Sequence, residues 1–294
     1  MANLKEIRVR LDSVKSTKQI TSAMKMVSAA KLRKAQDAIL QMRPFSKKLD
    51  QIFNTAISTF DEPAENEFFQ ANTSDRVLMI AISSNRGLCG AFNSSIIKKT
   101  LSLATENFEA ALRENKLELF CIGKKAYDGL KLKLKANIEF NHSIFDKLTF
   151  ENSCIISDKL ITGYLTNKYR TILLIYNQFR NAAIQDVVVE QFLPVVIDRS
   201  SQQHIEDPLN YIYEPSVLSL LQNLIPLSLR IHFFKVLLDS WASEHGARMT
   251  AMHKATDNAT DFIRDLELTY NKARQASITK ELSEIVSGAN ALKG

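Results

Sequence analysis

LSLRIHFFKVLLDSWASEHGARMTAMHKATDNATDFIRDLELTYNKARQASITKELSEIV, residues Leu227–Val286, contains no proline and a single glycine, Gly246. Nothing in it forces a helix to stop. Apolar or small residues recur at helical spacing through Leu227, Ile231, Phe234, Leu238 and Trp241, then Met249, Met252, Ala255, Ala259, Phe262, Leu266, Tyr270 and Ala273. At ~1.5 Å per residue such a helix is roughly 90 Å long. No domain of this size buries a rod along that whole length, so it must pair with another helix, protrude, or enter a partner. Its middle is rich in small residues (Ala242, Ser243, Ala247, Ala251, Ala255, Ala259), which let a second helix approach closely. An ordinary packed core helix seldom exceeds about 25 residues.

A second long helix lies at the other end of the chain, over residues 3 to about 58. Leu4, Ile7, Leu11, Val14, Ile20, Met24, Val27, Leu32, Ala35, Ile39 and Met42 recur mostly at steps of three and four, close to a heptad seam. Pro44 predicts a kink or a short break. The opposite face is basic. Between Met1 and Lys48 stand twelve cations (Lys5, Arg8, Arg10, Lys15, Lys18, Lys25, Lys31, Arg33, Lys34, Arg43, Lys47, Lys48) against three acids, Glu6, Asp12 and Asp37. A charge run is usually a solvated helix face, but this excess invites an acidic partner.

Between the two, after the polar linker 61–75, the composition changes. Arg76–Ser83 is a compact apolar run of strand type, followed by Gly87, Gly90 and a helical pattern over Asn93–Arg113. Leu117–Ile122 reads as a strand and Lys124–Lys133 as a helix. Further strands are expected at Ala136–Ile144, Thr171–Phe179 and Ile184–Val196, with a helix at Glu151–Asn167. Strands and helices alternating at this spacing argue an α/β unit with a sheet covered by helices. Val217–Ile225 reads as one short helix, with Pro226 as a hinge before the long rod. The fold expected is therefore a long antiparallel coiled coil of the N- and C-terminal helices with an inserted Rossmann-like α/β domain. Its parts are a shaft helix 1–60, an insert 76–205, and a C-terminal shaft segment 208–294 that begins with a short foot, 208–226.

The 294 residues carry 45% apolar side chains, a net charge of +6 and a pI near 9.1, which suits an anionic partner: nucleic acid, a membrane surface or an acidic protein. No segment approaches the ~20 uninterrupted apolar residues of a membrane span. The start, Met1–Glu6, carries charge where a signal peptide has its apolar core. Cys89, Cys121 and Cys154 are far apart and form no CxxC, so free thiols in a cytosolic compartment are expected.

Catalytic chemistry is not evident. The turn Ser84–Gly90 stands where phosphate loops sit but lacks both GxGxxG and GxxxxGK[ST]. His142, His204, His232, His245 and His253 show no HExxH pattern, and there is no GxSxG elbow. The reading is a protein without catalytic, cofactor or metal residues of its own.

Ile20-Thr21-Ser22-Ala23-Met24-Lys25-Met26-Val27 with Ala30-Lys31-Leu32 in the first helix, and Ala242–His245, Ala247–Met249, Ala255–Ala259 and Tyr270–Gln275 in the last, form a set of motifs. In these terminal segments the chain resembles the γ subunit family of F-type ATP synthases. Ile278–Ala289 is similar to the family's C-terminal signature, and Arg86–Asn93 to its motif after the first domain strand. Asn85 stands where the family commonly has an acid, and the paired-cysteine regulatory insert of chloroplast members is absent. The resemblance implies a central rotor shaft inside a ring of α and β subunits. The α/β domain would sit below, against ε and the membrane c-ring, at the cytoplasmic face of a bacterial inner membrane. It further implies that Met24, Arg248, Gln275 and Thr279 meet the β subunits, and that Tyr211, Tyr213 and Glu214 lie at the c-ring foot. A basic coiled coil binding nucleic acid is the alternative, supported only by the lysine-rich first helix. That helix lacks stacking aromatics and bZIP-like basic blocks.

Overall fold

The computed structural model describes residues 4–59, 67–196 and 217–291. Along the chain run α1 (Leu4–Thr59), β1 (Val77–Ile82), α2 (Phe92–Glu106), α3 (Glu109–Arg113), β2 (Leu117–Ile122), α4 (Lys124–Lys131), β3 (Asn137–Asn141), α5 (Phe150–Leu165), β4 (Thr171–Phe179), β5 (Gln185–Leu193) and α6 (Val217–Ala291). Two compact units result, one of Met1–Ser28 with Met249–Gly294 and one of Ala29–Arg248.

The first unit is an antiparallel helix pair. Lys25 Nζ lies 3.3 Å from His253 Nδ1, the Thr21 and Thr256 hydroxyls are 2.9 Å apart, and Lys15 Nζ pairs with Glu267 Oε1 at 3.1 Å. Numbers fall along one helix as they rise along the other. Among the buried or half-buried positions of α1, Ile7, Leu11, Val14, Lys18, Thr21, Lys25 and Ser28 follow one another at alternating steps of four and three, with Leu4, Ser22 and Met24 half-buried beside them. On α6 the matching positions are Met252, Thr256, Ala259, Ile263, Leu266, Tyr270 and Ala273. The polar seam positions are satisfied locally: Ser28 Oγ donates to the Met24 carbonyl at 2.8 Å and Thr21 Oγ1 to that of Lys18 at 3.1 Å. Beyond Ala273 every described side chain of α6 is exposed, through Asn290, a run of ~25 Å with no mate in this unit.

In the second unit a five-stranded sheet has the order β3-β2-β1-β4-β5. Strands β1 to β4 are parallel to their neighbours, and β5 runs antiparallel to β4. Leu78, Ile80 and Ile82 face a core built with Ile156, Leu160, Leu229 and Phe233 of α5 and α6. Val77, Met79 and Ala81 face the other core, with Ile96, Ala126 and Leu130 of α2 and α4. A central strand buried on both faces must read as a continuous apolar run, and β1 does. Gly123 has φ +101°, and a Cβ there would lie 2.1 Å from the Ser83 carbonyl oxygen, so the β2–α4 turn admits only glycine.

The structure departs from the sequence reading at several points. Both prolines sit inside continuous helices, Pro44 in α1 and Pro226 in α6, so the expected break and the separate helix Val217–Ile225 are absent. A helical proline already has the right φ and removes one hydrogen bond; burial of Leu221, Ile225 and Leu229 on one face of α6 outweighs that loss. The expected helix Asn93–Arg113 is two, parted at Asn107–Phe108. Ile20, Val27 and Phe262, expected in the seam, are exposed at 61%, 58% and 62%. Polar Lys18, Thr21, Lys25 and Ser28 occupy the seam instead, because its register is set by the pairing as a whole rather than by hydropathy at each position.

Candidate functional site

In the second unit α6 is buried on all sides from Val236 to Ser240 and again from Ala242 to Arg248. Ser243 Oγ donates to the Asn177 carbonyl at 3.0 Å, tying the helix to the end of β4. One turn later comes a buried polar group. Arg248 NH1 donates to Glu244 Oε1 at 2.6 Å and faces His245 Nδ1 at 3.4 Å. NH2 donates to the Arg86 carbonyl at 3.1 Å, and Nε and NH2 approach the Gly87 carbonyl at 3.4 and 3.3 Å. Side-chain exposure of the pair is only 9% and 10%.

The turn it holds is Ser84–Gly90, at the C-terminal end of β1. Ser84 Oγ donates to the Arg86 carbonyl at 2.6 Å, Ser84 N donates to Asn93 Oδ1 at 3.0 Å, and Asn93 Nδ2 donates to Cys89 Sγ at 3.1 Å. Leu88 and Gly90 adopt left-handed φ of 62° and 58°. Between β1 and β4 the strand order reverses direction, which is where doubly wound sheets usually hold a ligand. Here the turn directs carbonyls, not amides, at the crevice, and Arg248 fills it. A phosphate cradle needs N–H groups pointing inward, so the turn is a socket for the chain's own helix.

Electrostatics follow from burial. Burial raises the Glu244 carboxyl, with Arg248 opposing, and raises the Cys89 thiol. Burial, then the Arg248 and Lys31 charges, push His245 down to about 3, so the ring is neutral. With Nδ1 facing a donor the ring proton sits on Nε2, which is buried without a partner among the described residues. The His245 ring packs edge-on against Trp241 at 5.3 Å.

The residues named from sequence fall in different places. Arg248, expected to meet a β subunit, turns its guanidinium inward onto Glu244, Arg86 and Gly87, because its buried N–H groups need acceptors and the Glu244 carboxylate and the two turn carbonyls supply them. Met24 is half-buried, its carbonyl accepting Ser28 Oγ. Gln275 and Thr279 are exposed on the unmated run of α6, Thr279 Oγ1 donating to the Gln275 carbonyl at 2.9 Å. Tyr211, Tyr213 and Glu214 lie outside the described residues. The sequence reading did not join His245, Arg86 and Gly87 to the Glu244–Arg248 pair; charged and polar residues at i, i+1 and i+4 beside the small residues Ala242, Ser243, Gly246 and Ala247 were the available signal. It also missed the exposed apolar side chains Val9, Ile20, Met26 and Val27 on α1, and Ile278, Leu282, Ile285 and Val286 on α6.

A family model described as ATP synthase matches residues 3–292. The ATP synthase gamma chain of Christiangramia forsetii is 52% identical over the whole of both chains, and so is that of Flavobacterium psychrophilum. The chain belongs to the ATP synthase gamma chain family. Among solved structures, it is similar to the central stalk and c-ring structure of the Tetrahymena thermophila mitochondrial ATP synthase. That match has a TM-score of 0.58 and 25% identity, covering 80% of this chain and 99% of that one. The rotor of the Euglena gracilis enzyme shares the fold at a TM-score of 0.61 and 19% identity, covering 94% of this chain and 98% of that chain.

Proposed function

We propose that this chain is the non-catalytic rotor shaft of an F1Fo ATP synthase, coupling ion-driven rotation of a c-ring to conformational change at the catalytic β subunits. The observation that carries it is the helix pair whose longer member continues ~25 Å past its mate with every side chain exposed, Ile278, Leu282, Ile285 and Val286 included. An exposed apolar surface of that kind calls for a partner, and relatives identical at half their positions are gamma chains of the complex that supplies one. A shaft without threefold symmetry touches each of three β subunits differently, and a differential contact energy is all that is needed to bias three sites in turn.

In this reading Met24, Gln275 and Thr279 contact β subunits, Tyr211, Tyr213 and Glu214 form the c-ring foot, and the insert faces ε. Arg248 acts inside the chain, fixing α6 to the domain that receives torque. The working division is a shaft helix 1–60, an insert 76–205 and a C-terminal segment 208–294. The protein is held at the cytoplasmic face of a bacterial inner membrane through the c-ring; among the described residues no helix is long and apolar enough to cross a membrane. Nucleic acid has no part in it.

Co-expression of the tagged chain with the α and β subunits of the same organism tests this. The expected result is a nucleotide-hydrolysing complex that survives high salt with one tagged chain per three β subunits. Recovery of the tagged chain without α and β, or with nucleic acid that salt removes, overturns it.

A further inference from the structure

In the second unit, α1, α6 and the end of β4 line a hollow of about 280 Å³, open to solvent on one side, near the lower end of the range for small-molecule sites. Ile39, Leu238 and Phe179 supply apolar wall. Arg43 and Lys47, one turn apart on α1, enter from one side and Lys235 of α6 from another. Among the described residues none of these three side chains has an ion pair or hydrogen bond of its own. Like charges one turn apart on a helix repel, so three cations around one hollow, faced there by the single carboxylate of Asp239, leave an excess of positive charge that an anion would relieve. Ser46 and Gln178 add a hydroxyl and an amide that are likewise without side-chain hydrogen bonds among the described residues.

We propose that this cavity binds a small phosphate-type oxyanion through Arg43, Lys47 and Lys235, with Ser46 and Gln178 completing its hydrogen bonds. Guanidinium and ammonium groups are the usual donors to such anions; here all three cations are exposed, so their pull on an anion weakens as salt rises. The site is independent of the rotor reading and does not involve the Ser84–Gly90 turn.

At the cavity stands Asp239, buried, whose carboxylate would oppose an anion. Burial pushes it up to about 6. The charges acting on it are Lys235 and His232 from its own helix, Arg43 from α1 and Glu190 from β5. When protonated it ceases to repel and offers an O–H donor, so the anion binds more tightly as pH falls through about 6. The source is either free inorganic phosphate or the phosphates of a nucleotide.

The test is calorimetric titration of the full chain with sulfate, whose charge does not change over the range, at about pH 8 and about pH 5.5. Saturable binding of one sulfate per chain, several-fold tighter at the lower pH, is expected. Arg43→Gln with Lys235→Gln should weaken it tenfold or more, while Asp239→Asn should bind at both pH values with one affinity. Trp241 fluorescence confirms that each variant is folded. Parallel titrations with inorganic phosphate and with ADP separate the sources: tighter ADP binding points to a nucleotide, equal or weaker binding to free phosphate. Absence of saturable binding, or a double glutamine variant that binds like the parent, overturns the site. A pH dependence that persists in Asp239→Asn removes Asp239 from it.

Discussion

Replacing Arg248 with alanine removes the counter-charge of Glu244 and the donors that the Arg86 and Gly87 carbonyls share. With the pair at 9% and 10% exposure, little water is available to compensate. Breaking a buried ion pair by deleting one partner costs about 3–5 kcal/mol, because the other charge is left desolvated. The cost depends on pH. Glu244 already titrates above its ordinary value, so folding favours its protonated form and its contribution is unfavourable once pH exceeds that raised value. Without Arg248 the carboxyl rises further, and His245 loses a repelling charge. Both changes make the folded variant hold protons more readily, so its penalty shrinks on acidification. The single tryptophan, Trp241, touches His245 at 5.3 Å and reports unfolding at the spot. Urea denaturation followed by its emission should show a loss of about 3–5 kcal/mol near neutral pH, falling by half or more toward about pH 4.5. Arg248→Met combined with Glu244→Gln should lose less than Arg248→Ala alone, since no charge stays buried. A loss under about 1 kcal/mol at neutral pH, or one that does not vary with pH, refutes the account and returns Arg248 to the class of exposed helix pairs.

Asp239 holds its proton up to about 6 in the fold against an ordinary 3.8, so its stability contribution is lost as pH rises through that window. Asp239→Asn should therefore stabilise the chain by about 2–3 kcal/mol above pH 7, the gain vanishing below about pH 4 in denaturation curves. His245 is the opposite case: an imidazole pushed down to about 3 costs stability as pH falls from its ordinary 6.5, by up to ~4–5 kcal/mol in total. His245→Phe should flatten that acid limb. In the helix pair the hydroxyls of Thr21 and Thr256 occupy facing seam positions 2.9 Å apart. Changing both to valine should raise the melting temperature of the full chain, with coupling of about 0.5 kcal/mol or more in a double-mutant cycle.

The terminal helices were legible because proline and glycine are nearly absent from them and small or apolar residues recur at a helical period. The strands were legible for the opposite reason: β1, buried on both faces, has no polar residue to break its run, and β2 and β4 fall at the expected bounds. The seam between Lys18 and Ser28 was misread because polar side chains fill it while Ile20, Met26 and Val27 face outward. Periodicity records where apolar residues stand, not which of two apolar stripes meets the helix mate and which awaits another partner. Arg248 was expected to face a β subunit because the family resemblance carries that role to its position, and its spacing to Glu244 says nothing of burial. Only the fold shows that the end of β1 brings two backbone carbonyls to it. The cavity around Asp239 joins residues nearly two hundred positions apart, and no local pattern announces such a meeting.

The claim that this chain is a shaft is tested most directly by watching it turn. Leu132 is 89% exposed at the end of α4 in the inserted domain. A cysteine there, with Cys154 changed to serine and Cys89 and Cys121 left buried, carries a bead or fluorescent rod on a surface-held α–β complex containing this chain. On addition of ATP the probe is predicted to rotate in one direction with pauses at thirds of a turn, and to stop when residues 274–294 are deleted. A probe that stays still while the same complexes hydrolyse ATP would contradict the account.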